Sequence, residues 1–124
     1  MRDKANDGAR IELMLESISN IEQFMSGITS YDSFVEDKLL CHAVIYNLQC
    51  IGESVYMLSK YFRETHSQMD WKAIEGMRHV LVHDYYQVNM ETVWDILKLD
   101  IKPLRDYLKG LKECDSSISP VGPS

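Results

Sequence analysis

Nine consecutive residues, Arg78-His79-Val80-Leu81-Val82-His83-Asp84-Tyr85-Tyr86, hold an arginine, two of the chain's four histidines, a carboxylate and two tyrosines. Arginine stays charged at any physiological pH and offers a planar fork of donors to an anion. The unperturbed pKa of histidine lies near neutrality, so an imidazole can take up or release a proton under ordinary conditions. Held together on one rigid element, beside the apolar Val-Leu-Val run, the two groups could bind a phosphate and move a proton next to it.

Three chemistries fit this stretch. In a structural reading, His79 and His83 face polar neighbours and Arg78 pairs with Glu75 or another acid. In a metal reading, Glu75, His79 and His83 project from one helical face at spacings of four, as zinc ligands can, but no convincing fourth ligand follows. In a phosphoryl-transfer reading, Arg78 and Tyr85 lie on nearly the same face, while His83 is rotated by ~140° from Arg78 on a continuous helix. A helix ending at His83 could let the imidazole swing toward Arg78; otherwise a second copy of the stretch, brought in by a dimer, could complete the site. RNA cleavage by its own 2′-hydroxyl needs a base, an acid and a cation, and two imidazoles with two arginines supply these without metal.

Composition limits what surrounds such a site. A chain of 124 residues, 45% hydrophobic and 26% charged, is a single globular domain. The formal net charge of -6 argues against a protein that coats nucleic acid electrostatically, so any nucleic-acid role must be local and chemical. No window approaches the ~20 apolar residues of a membrane span, and the polar N-terminus lacks a signal-peptide core. The cytoplasm is the expected location. Cys41, Cys50 and Cys114 form neither a CxxC pair nor an even disulfide set, and read as reduced structural thiols.

The elements that would position the stretch are helical throughout. Residues 1–8 read as a frayed polar start. Ile11, Met14, Leu15, Ile18, Ile21, Met25 and Ile28 form one stripe of a helix over 9–28, stopped near Gly27. Asp32 is a plausible cap for a short turn of helix. Leu40, Val44, Leu48, Ile51, Val55, Leu58 and Phe62 then alternate four and three over 36–62, which predicts one long central helix. Asn47 falls within this apolar arc, where a buried amide must tie the core together or reach a site. Glu53, on another face beside Gly52, is either a solvated charge or a partner for a cation.

Residues 64–69 read as a loop, Asp70 as the cap of a helix opening with Trp71, and that helix as fraying near 84–86. Asn89 can cap a further helix, which Pro103 must end or kink for want of an amide donor. A short last helix follows, and 113–124 is expected to be a disordered tail. The domain is thus expected over 1–112, as an all-α, up-down bundle of four to five helices.

Arg78, His83 and Tyr85 fit the pattern Arg, any four, His, any one, Tyr. With Ala43-Val44 through Asn47-Leu48, Ile51-Gly52-Glu53, Asp70-Trp71, Gly76-Met77-Arg78, Val93-Trp94 and Leu104 in order, the chain resembles the HepT-like toxins of the HEPN superfamily. The resemblance covers roughly 9–110. It implies a HEPN-like helical homodimer whose paired motifs meet in a cleft and act as a metal-independent endoribonuclease on RNA such as tRNA or mRNA, with no cofactor. Arg78 and His83 would be the catalytic pair and Tyr85 the motif tyrosine. The implied partner is a minimal nucleotidyltransferase antitoxin, which silences the toxin by transferring AMP from ATP to Tyr85, with Tyr86 adjacent. Asn47, Glu53, His79 and Asp84 would line or brace the cleft.

Two positions depart from the pattern. Tyr46 stands where relatives often carry arginine, and His79 where they often carry Asn or Asp. The alternative function is a non-catalytic HEPN module that binds a nucleotide or a partner.

Overall fold

Ile11, Met14, Ile18 and Ile21 run as a buried stripe down the first helix, α1 (Asp7–Phe24). The computed structural model describes residues 6–83 and 89–118, apart from the side chains of 79–83 and 114–118. Asp7 corrects the expectation of a frayed start. Its carboxylate is buried and accepts the Ser59 amide at 2.9 Å and the Ser59 hydroxyl at 2.7 Å. Gly27, at φ 87°, takes a left-handed turn that side chains resist, and α1 has already ended at Phe24 rather than at 28.

The next helix, α2 (Tyr31–Glu36), is capped by Ser30, whose hydroxyl accepts the Ser33 amide at 3.1 Å. Asp32, expected as the cap, instead lies in the first turn, where its negative charge suits the helix dipole. Asp37 caps the central helix, α3 (Lys38–Tyr56), by accepting the Leu40 amide at 3.0 Å. Val44, Leu48, Ile51 and Val55 on α3 are fully buried, each worth about 1.5–3 kcal/mol of transfer free energy.

The single long helix expected over 36–62 is broken in two. Ser59 adopts extended backbone and caps a short helix, α4 (Lys60–Thr65), by accepting the Phe62 amide at 3.0 Å. The four-three alternation ran across this break because Leu58, at 0% exposure, still turns inward without being helical. Part of the expected loop over 64–69 belongs to α4.

Asp70 caps α5 (Trp71–His83) as its position suggests, accepting the Ala73 amide at 3.1 Å. Asn89 likewise caps α6 (Met90–Asp95), accepting amides of Glu91 and Thr92. Pro103 neither ends nor isolates a helix. A π-helical turn at Ile96–Asp100 joins α6 to α7 (Ile101–Ile118), with the Ile101 amide bonded to the Ile96 carbonyl. Pro103 is then the third residue of α7, where its missing N–H falls in a first turn. As a helix, α7 runs on to Ile118, past the point at which a tail was expected.

The assembly is an all-α bundle, with no strand among the described residues. α3 lies at its centre, packed against α1 on one side and α5 on the other, and α7 closes against α1. No helix of the described residues is long and apolar enough to cross a membrane.

Candidate active site

Gly52 decides how near α5 comes to α3. A Cβ on Gly52 would lie 2.7 Å from the Arg78 backbone nitrogen and 3.0 Å from the Arg78 Cβ. The two helices therefore meet backbone to backbone at the residue that carries the guanidinium. Any larger side chain at 52 would push Arg78 away.

Two side chains of α3 receive Arg78. Its Nη1 is 3.7 Å from Glu53 Oε1, and its Cζ stands 4.0 Å from the centroid of the Tyr56 ring. The ion pair exceeds hydrogen-bond length, and Glu53 is 56% exposed while Arg78 is 24% exposed, so water screens it. The cation–π contact, on a half-buried ring, is worth about 0.5–1 kcal/mol. Arg78 Nε is buried and finds no hydrogen-bond partner among the described residues. The result is a guanidinium held by a ring and a distant carboxylate, whose part-exposed Nη groups, not its buried Nε, could meet an anion.

Arg63 fixes the same helix pair one turn earlier. Its Nη2 donates to the Val55 carbonyl at 2.7 Å and pairs with Glu75 at 2.9 Å, both side chains about four-fifths buried. Arg78 thus pairs with Glu53 rather than Glu75, and Glu75 is occupied by Arg63. That occupation removes Glu75 as a ready metal ligand, and no cluster of three metal-ligating side chains occurs among the described residues.

Asn47 is buried at 5% exposure, with both polar atoms in use. Its amide donates to the Ala43 carbonyl at 2.8 Å, and its oxygen accepts from Asn20 at 3.2 Å. It ties α1 to α3. Tyr46 projects outward at 65% exposure, and its hydrogen bond with Cys50 holds the phenol pKa above the ordinary value. The Cys41 thiol donates to the Phe34 carbonyl at 3.3 Å, and burial raises its pKa. Cys114 lies outside the described side chains.

The backbone of His79 and His83 belongs to α5, but their side chains lie outside the described residues, as do Asp84, Tyr85 and Tyr86 altogether. Sequence reasoning missed Tyr56 and Arg63. Tyr56 had a usable signal, since it follows Glu53 by three and so shares its side of α3. For Arg63 no pattern announced the contact, because it depends on the break before α4.

A groove of about 990 Å³ lies elsewhere, between α1 and α7, where Glu12 and Glu22 face Lys112 and Arg105 in ion pairs. None of the Arg78 cluster lines it.

The family profile described as "Ribonuclease HepT-like" matches residues 14–111, which spans α1 to α7 and includes every residue of the Arg78 cluster. This chain belongs to that family. Membership carries the class of activity with it, that of an RNA-cleaving enzyme. Among curated relatives, "Putative RNase TTE0752" of Caldanaerobacter subterraneus is 37% identical over 99 residues, covering 80% of this chain and 88% of its own. "Putative RNase MJ0127" of Methanocaldococcus jannaschii is 33% identical, covering 84% and 88%. "Probable ribonuclease HepT" of Thermococcus cleftensis is 31% identical, covering 83% and 93%. No solved structure matches the chain at a significant level.

Proposed function

We propose that this HepT-like protein is a metal-independent endoribonuclease toxin, with a composite site of Arg78 and His83 formed between two copies of the chain. The supporting observation is the setting of Arg78: backbone contact with Gly52 fixes it, the Tyr56 ring supports its guanidinium, and Glu53 stands beyond hydrogen-bond length from it. His83 takes the proton from the substrate 2′-hydroxyl, or gives one to the departing 5′-oxygen. The 2′-oxygen attacks phosphorus, the bond from phosphorus to the 5′-oxygen breaks, and Arg78 stabilises the charge that develops on the phosphoryl oxygens. The products carry a 2′,3′-cyclic phosphate and a 5′-hydroxyl. Two copies provide both imidazoles, because one helix sets Arg78 and His83 on different faces.

A minimal nucleotidyltransferase antitoxin silences the site by transferring AMP from ATP to Tyr85, two residues beyond His83: the phenol oxygen bonds to the α-phosphorus and pyrophosphate leaves. Glu53 faces the guanidinium from α3, while His79 and Asp84 lie within the motif beside Arg78 and His83; Asn47 contributes through the α1–α3 seam.

The second reading, a binding module that cuts nothing, is favoured by Tyr46 in place of a cation and by the net charge of -6. Incubation of the purified chain with RNA in excess chelator separates the two readings, once intact mass shows Tyr85 unmodified. Cleavage leaving cyclic phosphate ends is expected. Intact RNA after such an incubation would favour the binding module.

A further inference from the structure

Arg78 has its carboxylate partner in Glu53 rather than Glu75, and an aromatic one beside it. Its only ionic partner among the described residues, Glu53, stands too far for a hydrogen bond and is more than half exposed. The Tyr56 ring, by contrast, lies directly beneath the guanidinium at 4.0 Å. A ring covers the flat face of a guanidinium and leaves the in-plane N–H donors pointing outward, which is the edge a phosphate accepts. A carboxylate at hydrogen-bond distance would do the opposite, consuming that edge.

Resting on the ribonuclease reading above, we propose that Tyr56 is a positioning residue for Arg78, presenting its N–H edge to the scissile phosphate while Glu53 acts as a displaceable counter-ion. When RNA enters, its phosphate takes the place of Glu53, which swings into water. Tyr56 stays beneath the guanidinium throughout. The contact with Arg78 is made by the ring, so phenylalanine keeps it and leucine does not.

The test uses steady-state cleavage of an oligoribonucleotide in chelator by the full chain. Tyr56→Leu is expected to lower kcat at least tenfold with a smaller change in KM, and Tyr56→Phe to stay within about twofold of the parent. In an Arg78→Ala background, Tyr56→Leu should have no further effect on kcat, whereas a merely structural role would still lower it. Wild-type kcat in Tyr56→Leu, or an undiminished effect in the Arg78→Ala background, overturns the proposal and leaves the ribonuclease reading standing. A wild type that cuts no RNA overturns that reading instead. The Tyr56–Arg78 contact is then decided by a double-mutant cycle in urea, which needs no substrate. A coupling of about two- to fivefold in the folding constant supports the contact; zero coupling rejects it.

Discussion

A Cβ placed on Gly52 would meet the backbone nitrogen of Arg78 at 2.7 Å. The crossing of α3 and α5 is therefore set at the very residue whose side chain carries the site's cation. Gly52→Ala gains about 1 kcal/mol of helix propensity but forces the helices apart at a cost of about 1–3 kcal/mol, so net destabilisation is expected. Gly76 and Gly110 have nothing within 4 Å of such a Cβ, and alanine there should stabilise by about 0.5–1 kcal/mol. Urea midpoints of the three variants check the contrast, which fails if all three move in one direction.

Arg63→Ala removes a donor to the Val55 carbonyl and strands Glu75 in a mostly buried position. A loss of about 1.5–3 kcal/mol is expected, measured by urea unfolding. Glu75→Gln should cost less, because an amide can still accept from the guanidinium. Equal losses would show that the charge, not the hydrogen bonding, holds α4 to α5.

Glu53→Gln removes the negative charge that competes with an incoming phosphate for Arg78. RNA should bind a few-fold more tightly, with the gain shrinking as salt rises. Weaker binding would mean that Glu53 is needed to brace Arg78 and is not displaced.

Burial raises the Tyr107 pKa above its ordinary value, and its hydroxyl lies 3.0 Å from His66 Nδ1. Since the folded pKa is the higher one, the folded state prefers the protonated phenol. That contribution is complete below the ordinary tyrosine pKa and is lost as pH rises through the folded value. Tyr107→Phe should therefore give a flatter fall in Tm on the alkaline side than the parent. Parallel alkaline limbs would remove Tyr107 as the cause.

Much of this was readable from residue types alone. Asp70 and Asn89 were legible as caps because a short acceptor just before an apolar run has one local use, and the buried stripe of α3 follows from its spacing. The break at Ser59 was not legible, since Ser59 is held there by Asp7, 52 residues away and expected to be frayed. Pro103 misled for a related reason: the π turn before it changes which carbonyls await a donor. At the candidate site, Arg78 and Glu53 stood out as charges, but their distance depends on Gly52 and on the register of two helices. Tyr56 went unremarked in the sequence, because its part in the site depends on the guanidinium standing above its ring.

The decisive measurement is the single-turnover rate of RNA cleavage in excess chelator for the wild type, Arg78→Ala and His83→Ala. The wild type should cut, and each variant should lose at least 100-fold, the order expected for removing a positioned proton carrier or charge stabiliser, while remaining folded. Full-rate cleavage by both folded variants would contradict the assignment of Arg78 and His83 as the catalytic pair.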